Sequence, residues 1–180
     1  MEVRRSGSAL HRSQHLVRRF LGALRPGGPA PADAAWVATI LHPGEADLFA
    51  ALPGHDRRHA VTVARRVDVA LGGAPNAVLA AALLHDAGKV HAHMGPVRRA
   101  LATVWLAVRG RERVASDRNA WSRRCAVYAA HPALGAAEIR ARDGHPEAAA
   151  WAEAHHDRGR WGTTGLDPRA VAALHAADDD

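Results

Sequence analysis

Apolar residues recur at helical spacing along the chain and never alternate in strand-like runs, so the pattern predicts an all-α protein. The strongest signal is Ala77 to Leu84, a continuous run of small and apolar residues. It lies between Gly72-Gly73-Ala74-Pro75 and Gly88 and reads as a fully buried helix opened by Pro75 or Asn76. Ahead of it the pattern predicts helices over Ala34–Leu41, capped by Asp33, over Gly44–Leu52, and from a cap at Asp56 to Leu71. Behind it come Pro96–Val108, Trp121–Ala130, Ala133–Ala141, Glu147–Asp157 and a last helix from Pro168 to Asp180. Arg109–Asp117 reads as a charged connection, Arg158–Gly165 as a loop, and the stretch holding His91 and His93 as a surface loop.

Residues 1–31 read as a separate segment. Ser13–Leu24 predicts a basic amphipathic helix with Leu16, Val17, Phe20, Leu21 and Leu24 on one side, and the Pro/Gly-rich linker Arg25–Pro31 follows. Docking on its own domain is the simplest role for it, with a partner or a membrane surface as alternatives. His11 and His15 stand four apart, but no third ligand is near. Residues 32–180 then form one helical domain.

Composition sharpens this picture in three ways. The single cysteine, Cys125, excludes an internal disulfide, and its helical neighbourhood assigns it to packing. The net charge of +6 comes from 24 basic and 18 acidic side chains, and every basic residue except Lys89 is arginine. Arginine pairs scattered along the chain favour a phosphate-bearing ligand, whereas no nucleic-acid motif is present. Neither a signal peptide nor a transmembrane segment is visible, so the expected location is cytoplasmic.

The candidate chemistry sits at helix ends. The buried helix ends in His85-Asp86, delivering an imidazole and a carboxylate beside the core, a costly placement unless something pairs with them. A divalent metal accepts both groups, although hydrogen bonds to the backbone would also serve. His59 shares a helical face with Val63, Val67 and Ala70, and Asp178 shares one with Val171 and Leu174. His131 precedes Pro132 and is expected to be exposed at a helix junction, and His155-His156 ends another helix. Ligands spread over separate helices are how helical bundles build dinuclear sites.

The order His59, His85-Asp86, Asp178 resembles the signature of the HD superfamily of metal-dependent phosphohydrolases, over about residues 45–180. Within it, the HD-GYP branch looks nearest. Leu84-His85-Asp86-Ala87-Gly88-Lys89 is similar to its Leu-His-Asp-Ile-Gly-Lys segment. His131-Pro132-Ala133-Leu134-Gly135 is similar to its His-Pro-x-x-Gly, and His155-His156-Asp157 to its His-His-Glu. The Gly-Tyr-Pro signature is absent, Arg158-Gly159-Arg160-Trp161-Gly162 standing there, and Asp157 replaces the glutamate.

The resemblance implies a bundle of about six to eight helices around a dinuclear metal site. His59, His85, Asp86 and Asp178 would hold one ion, and Asp86 would bridge to a second held by His131, His155 and His156. The implied ions are manganese or iron, with magnesium, zinc or nickel as alternatives. The implied reaction is hydrolysis of a nucleotide or other phosphate ester by metal-activated hydroxide; Asp86 and, by its place close after the ligands as the chain's single lysine, Lys89 are the catalytic candidates. Lys89, Arg98, Arg99, Arg158 and Arg160 would contact the substrate. Alternatives are a metal- and nucleotide-binding module without turnover, and a di-iron oxygenase of the same superfamily.

Overall fold

The computed structural model describes residues 27–179, and all its regular elements are helical. The helices are α1 (Pro31–Ala38), α2 (Pro43–Ala51), α3 (Gly54–Leu71), α4 (Asn76–Leu84), α5 (Pro96–Arg109), α6 (Arg111–Ser116), α7 (Ala120–Ala129), α8 (His131–Arg140), α9 (Pro146–Ala154) and α10 (Pro168–Asp179). Two 3-10 segments, Ala87–Ala92 and Arg158–Thr163, complete the described chain. The count exceeds six to eight because short pieces such as α1 and α6 are helical in their own right. The segment Ser13–Leu24, with His11 and His15, lies outside the described residues.

Helix α4 is the centre of the bundle. Val78 to Leu84 are all buried, and α3 and α9 flank the helix. Alanines at 80, 81 and 82 on α4 and at 148, 149 and 152 on α9 are at most 1% exposed, which lets the helices approach closely. Leu83 and Leu84 then fill the remaining space, and burying each contributes roughly 1.5–3 kcal/mol. Helix α10 covers α3, and α8 packs on α9 and on the 3-10 turn after α4.

A second, smaller core belongs to α5–α7, which are inserted between Asp86 and His131. Its buried residues are Ala92, Met94, Ala102, Val114 and Cys125, with Trp105, Leu106, Trp121, Val127 and Tyr128 packed around them. Burial pushes the Cys125 thiol up, in keeping with a packing role.

Several local expectations are corrected. Asp33 does not cap α1, which starts at Pro31; its carboxylate pairs with Arg65 at 3.1 Å instead. Asp56 does not cap α3, which starts at Gly54; it accepts from Arg99 at 2.6 Å. In both cases a long-range arginine takes the carboxylate away from the local amides. The charged connection is helical over Arg111–Ser116, and the segment with His91 is a 3-10 turn. The stretch after Asp157 forms a 3-10 segment over Arg158–Thr163, where a loop was expected, with Asp157 accepting from the Gly159 N–H.

Candidate metal centre

Five helix ends converge on one point. The C-terminal ends of α4 and α9 bring His85 and His155, the N-terminal end of α8 brings His131, the second turn of α3 brings His59, and the last turn of α10 brings Asp178. Three of the histidines are held in the same way. The Nδ1 atoms of His85, His131 and His155 lie 2.9, 2.7 and 2.8 Å from the carbonyl oxygens of Ala82, Tyr128 and Ala152. Each bond spans three residues, so the backbone carbonyl accepts from Nδ1–H and turns Nε2 inward. That is the orientation a metal-binding imidazole adopts when its other nitrogen is anchored.

Asp86 stands in the middle. Its Oδ2 is 3.4 Å from His85 Nε2, and its Oδ1 is 3.3 Å from His131 Nε2 and 3.7 Å from His155 Nε2. On the first side, Asp178 Oδ1 is 3.1 Å from His59 Nε2 and 3.5 Å from His85 Nε2. On the other, the His156 ring lies 3.9 Å from that of His155 and 5.2 Å from that of His131. His59, His85 and Asp178 form one set of ligand atoms within 4.8 Å of each other, and His131, His155 and His156 form another. The structure therefore brings all seven proposed ligands together, in two sets with Asp86 between them.

His131 is only 5% exposed, which corrects the expectation that it lies exposed at a junction. The cause is a close backbone approach. A Cβ on Gly88 would meet the His131 carbonyl oxygen at 2.1 Å and the Gly135 nitrogen at 2.5 Å, so only glycine lets the turn after Asp86 rest on the start of α8. This contact sets the distance between Asp86 and His131.

The electrostatics are those of anionic ligands held by protons. Burial alone would lower His85, but the charges of Asp86 and Asp178 overcome it and raise it to about 10. Burial opposes ionisation of Asp86 and Asp178, yet Lys89 and His85 hold Asp86, and His85 and His59 hold Asp178, below the usual carboxylate range. Burial lowers His131, which keeps it neutral. Lys89 is not a free side chain: its ammonium is ion-paired with Asp86 Oδ2, which raises its pKa against the effect of burial.

A cleft of about 300 Å³ opens onto these groups, lined among others by Asp86, Lys89, His155, His156, Arg158 and Asp178. Of the expected substrate contacts, Lys89 and Arg158 lie here and three arginines do not. Arg99 is buried against Asp56, Arg160 pairs with Glu153 at 2.9 Å, and Arg98 lies exposed on α5. Three cleft residues lie outside the sequence expectations: Asp179 and two ring-bearing side chains, Trp161 and His175. Their rings are 4.7 Å apart, and His175 Nε2 is 2.8 Å from Arg158 Nη2. The available signal for His175 was its position three residues before Asp178, on the same helical face.

The family model of the HD domain matches residues 58–178. The chain belongs to the HD domain family. Neither a curated protein nor a solved structure matches it. HD domains are generally metal-dependent hydrolases, and the matched span of this HD domain begins one residue before His59 and ends on Asp178. The family's limits thus coincide with the first and last members of the cluster. No helix among the described residues is long and apolar enough to cross a membrane.

Proposed function

We propose that this HD domain is a dinuclear phosphohydrolase acting on a phosphate ester, with a nucleotide as the substrate class. One observation carries the reading. Nε2 of His85, His131 and His155 and Oδ1 of Asp86 are buried, have no hydrogen-bond partner, and point toward one another. Each buried polar atom left unpaired costs about 1–3 kcal/mol. Four unpaired ligand atoms around one point, three of them bare and His85 Nε2 becoming so when its proton leaves, favour a cationic occupant. The mixed imidazole and carboxylate set suits manganese or iron, with magnesium, zinc or nickel as alternatives.

One ion would be held by His59, His85, Asp86 and Asp178, and the second by Asp86, His131, His155 and His156. Such a pair supplies Lewis acidity and an activated water when bound. The remaining work belongs to the chain. Asp86 bridges the two ligand sets through its two oxygens. Lys89 neutralises Asp86 in the metal-free protein; released from that pairing, its ammonium lines the cleft and would hold charge on a phosphoryl oxygen, the main demand of phosphoryl transfer. Arg158 stands at the same wall, and its guanidinium lies 5.4 Å over the Trp161 ring, beside which a base or sugar would rest.

The test is product formation from a panel of cyclic and linear nucleotides in the presence of manganese or ferrous iron. Lys89→Ala is expected to keep its metals and to lower turnover about ten- to a hundredfold. Nucleotide binding without product from any member of the panel would make the protein a binding module instead. Oxygen consumption with an organic substrate would make it an oxygenase.

A further inference from the structure

The α5–α7 unit has two surface properties that the metal centre does not explain. The first is an apolar stripe. Val97, Leu101, Val104 and Val108 on α5 are 51, 56, 62 and 76% exposed, and they are four of the five large apolar side chains exposed among the described residues. At 100° per residue they fall within an arc of about 60° and run for roughly 16 Å along the helix. Beside and opposite the stripe, Trp105, Ala102 and Leu106 of α5 already pack on the small core. The stripe is therefore a second apolar face, exposed among the described residues.

The second property is charge. Between Pro96 and Arg124 the chain holds eight arginines and two acidic residues, so this unit carries a surplus of six positive charges. The other described residues hold ten basic and fourteen acidic side chains, an excess of the opposite sign. Only Arg99 is buried, in its pair with Asp56; the other seven arginines are exposed. Arg98 and Arg109 flank the stripe at its two ends, and Arg111 and Arg113 follow on α6.

We propose that the α5–α7 unit docks on an anionic lipid surface, with the stripe entering the boundary between headgroups and acyl chains and the arginines facing lipid phosphates. Each property selects against a different competitor. A nucleic acid would use the arginines but gains nothing from an aliphatic ridge. A symmetric pairing with a second copy through α5 would bring arginines against arginines, because α5 has no acidic residue. A fluid bilayer accommodates a convex ridge without a matching groove, and apolar area with basic flanks is the combination that holds a helix in its interface.

Vesicle co-sedimentation of the full chain tests this, with phosphatidylcholine vesicles compared with vesicles containing phosphatidylglycerol. Binding is expected only to the anionic vesicles and should weaken steeply as salt rises. Leu101→Ser with Val104→Ser, both at exposed positions, should lower the partition coefficient about tenfold or more with an unchanged circular dichroism spectrum. Arg111→Gln with Arg113→Gln should lower it about thirtyfold at low salt. Failure to bind anionic vesicles would overturn the proposal. So would partitioning that the Leu101/Val104 variant leaves unchanged, which would move the interaction to residues outside the stripe. Equally tight binding to duplex DNA, insensitive to the same variant, would also overturn it and assign the surface to a polyanion.

Discussion

The two cores of this protein are built to different standards. Around α4, every residue from Val78 to Leu84 is buried, alanines set close helix spacing, and all seven proposed ligands sit at or near the ends of the helices so packed. Around α5–α7 the core is a handful of side chains, and one helix leaves a whole apolar face in solvent. A metal centre tolerates little displacement, so its ligands belong on rigid, tightly packed elements. A docking surface needs only to be presented. The inserted unit lies between Asp86 and His131, and its last residues steady one ligand histidine: the Tyr128 carbonyl accepts from the His131 ring, and the Tyr128 ring stacks on it at 5.7 Å.

Core substitutions give the largest expected contrast between the regions. Leu84→Ala empties a wholly buried site beside His85 and should cost about 2–5 kcal/mol in chemical denaturation. It should also weaken metal binding, because the helix end that carries His85 and Asp86 loses its support. Val114→Ala in the small core should cost about 1–3 kcal/mol with metal content unchanged. Leu101→Ala on the exposed stripe should change stability by less than about 0.5 kcal/mol. Equal losses for Leu84→Ala and Leu101→Ala would mean that α5 is covered in the protein and that the contrast is wrong.

A pH-dependent effect, confined to the first region, comes from His85. Its pKa in the metal-free protein is about 10, above the value of 6.5 it has when unfolded. A raised pKa contributes stability that is complete below 6.5 and is lost as pH rises through 10. Metal-free wild type should therefore lose stability between pH 7 and 9.5, whereas His85→Gln should follow a flatter curve. Metal binding must displace the same proton, so affinity should rise with pH in this window, by up to about tenfold per unit. A pH-independent affinity would show that His85 enters the site already neutral.

Much of this was legible in the sequence, and the exceptions share a cause. The buried helix could be read because an apolar run between glycines and prolines has one plausible packing. Asp178 could be read because Val171 and Leu174 fix which face turns inward, and both are buried. His131 could not be placed, because its burial depends on Gly88 meeting the backbone of α8 across the fold. The helix starts at Pro31 and Gly54 were missed for a related reason: Asp33 and Asp56 have the chemistry of caps but are claimed by Arg65 and Arg99, distant in sequence. Arg99 was expected at the substrate for want of that pairing. Local rules fail where a long-range partner competes for the same side chain.

Two ligand sets that share Asp86 have a simple signature in metal stoichiometry. Elemental analysis of wild type, His59→Ala, His131→Ala and Asp86→Ala, each loaded with manganese and desalted, separates the alternatives. About two ions per chain are expected in wild type, one in each single-set variant, and none in Asp86→Ala, with the helical signal retained throughout. Full metal content in Asp86→Ala, or no loss on replacing His59 and His131, would contradict a site shared through Asp86.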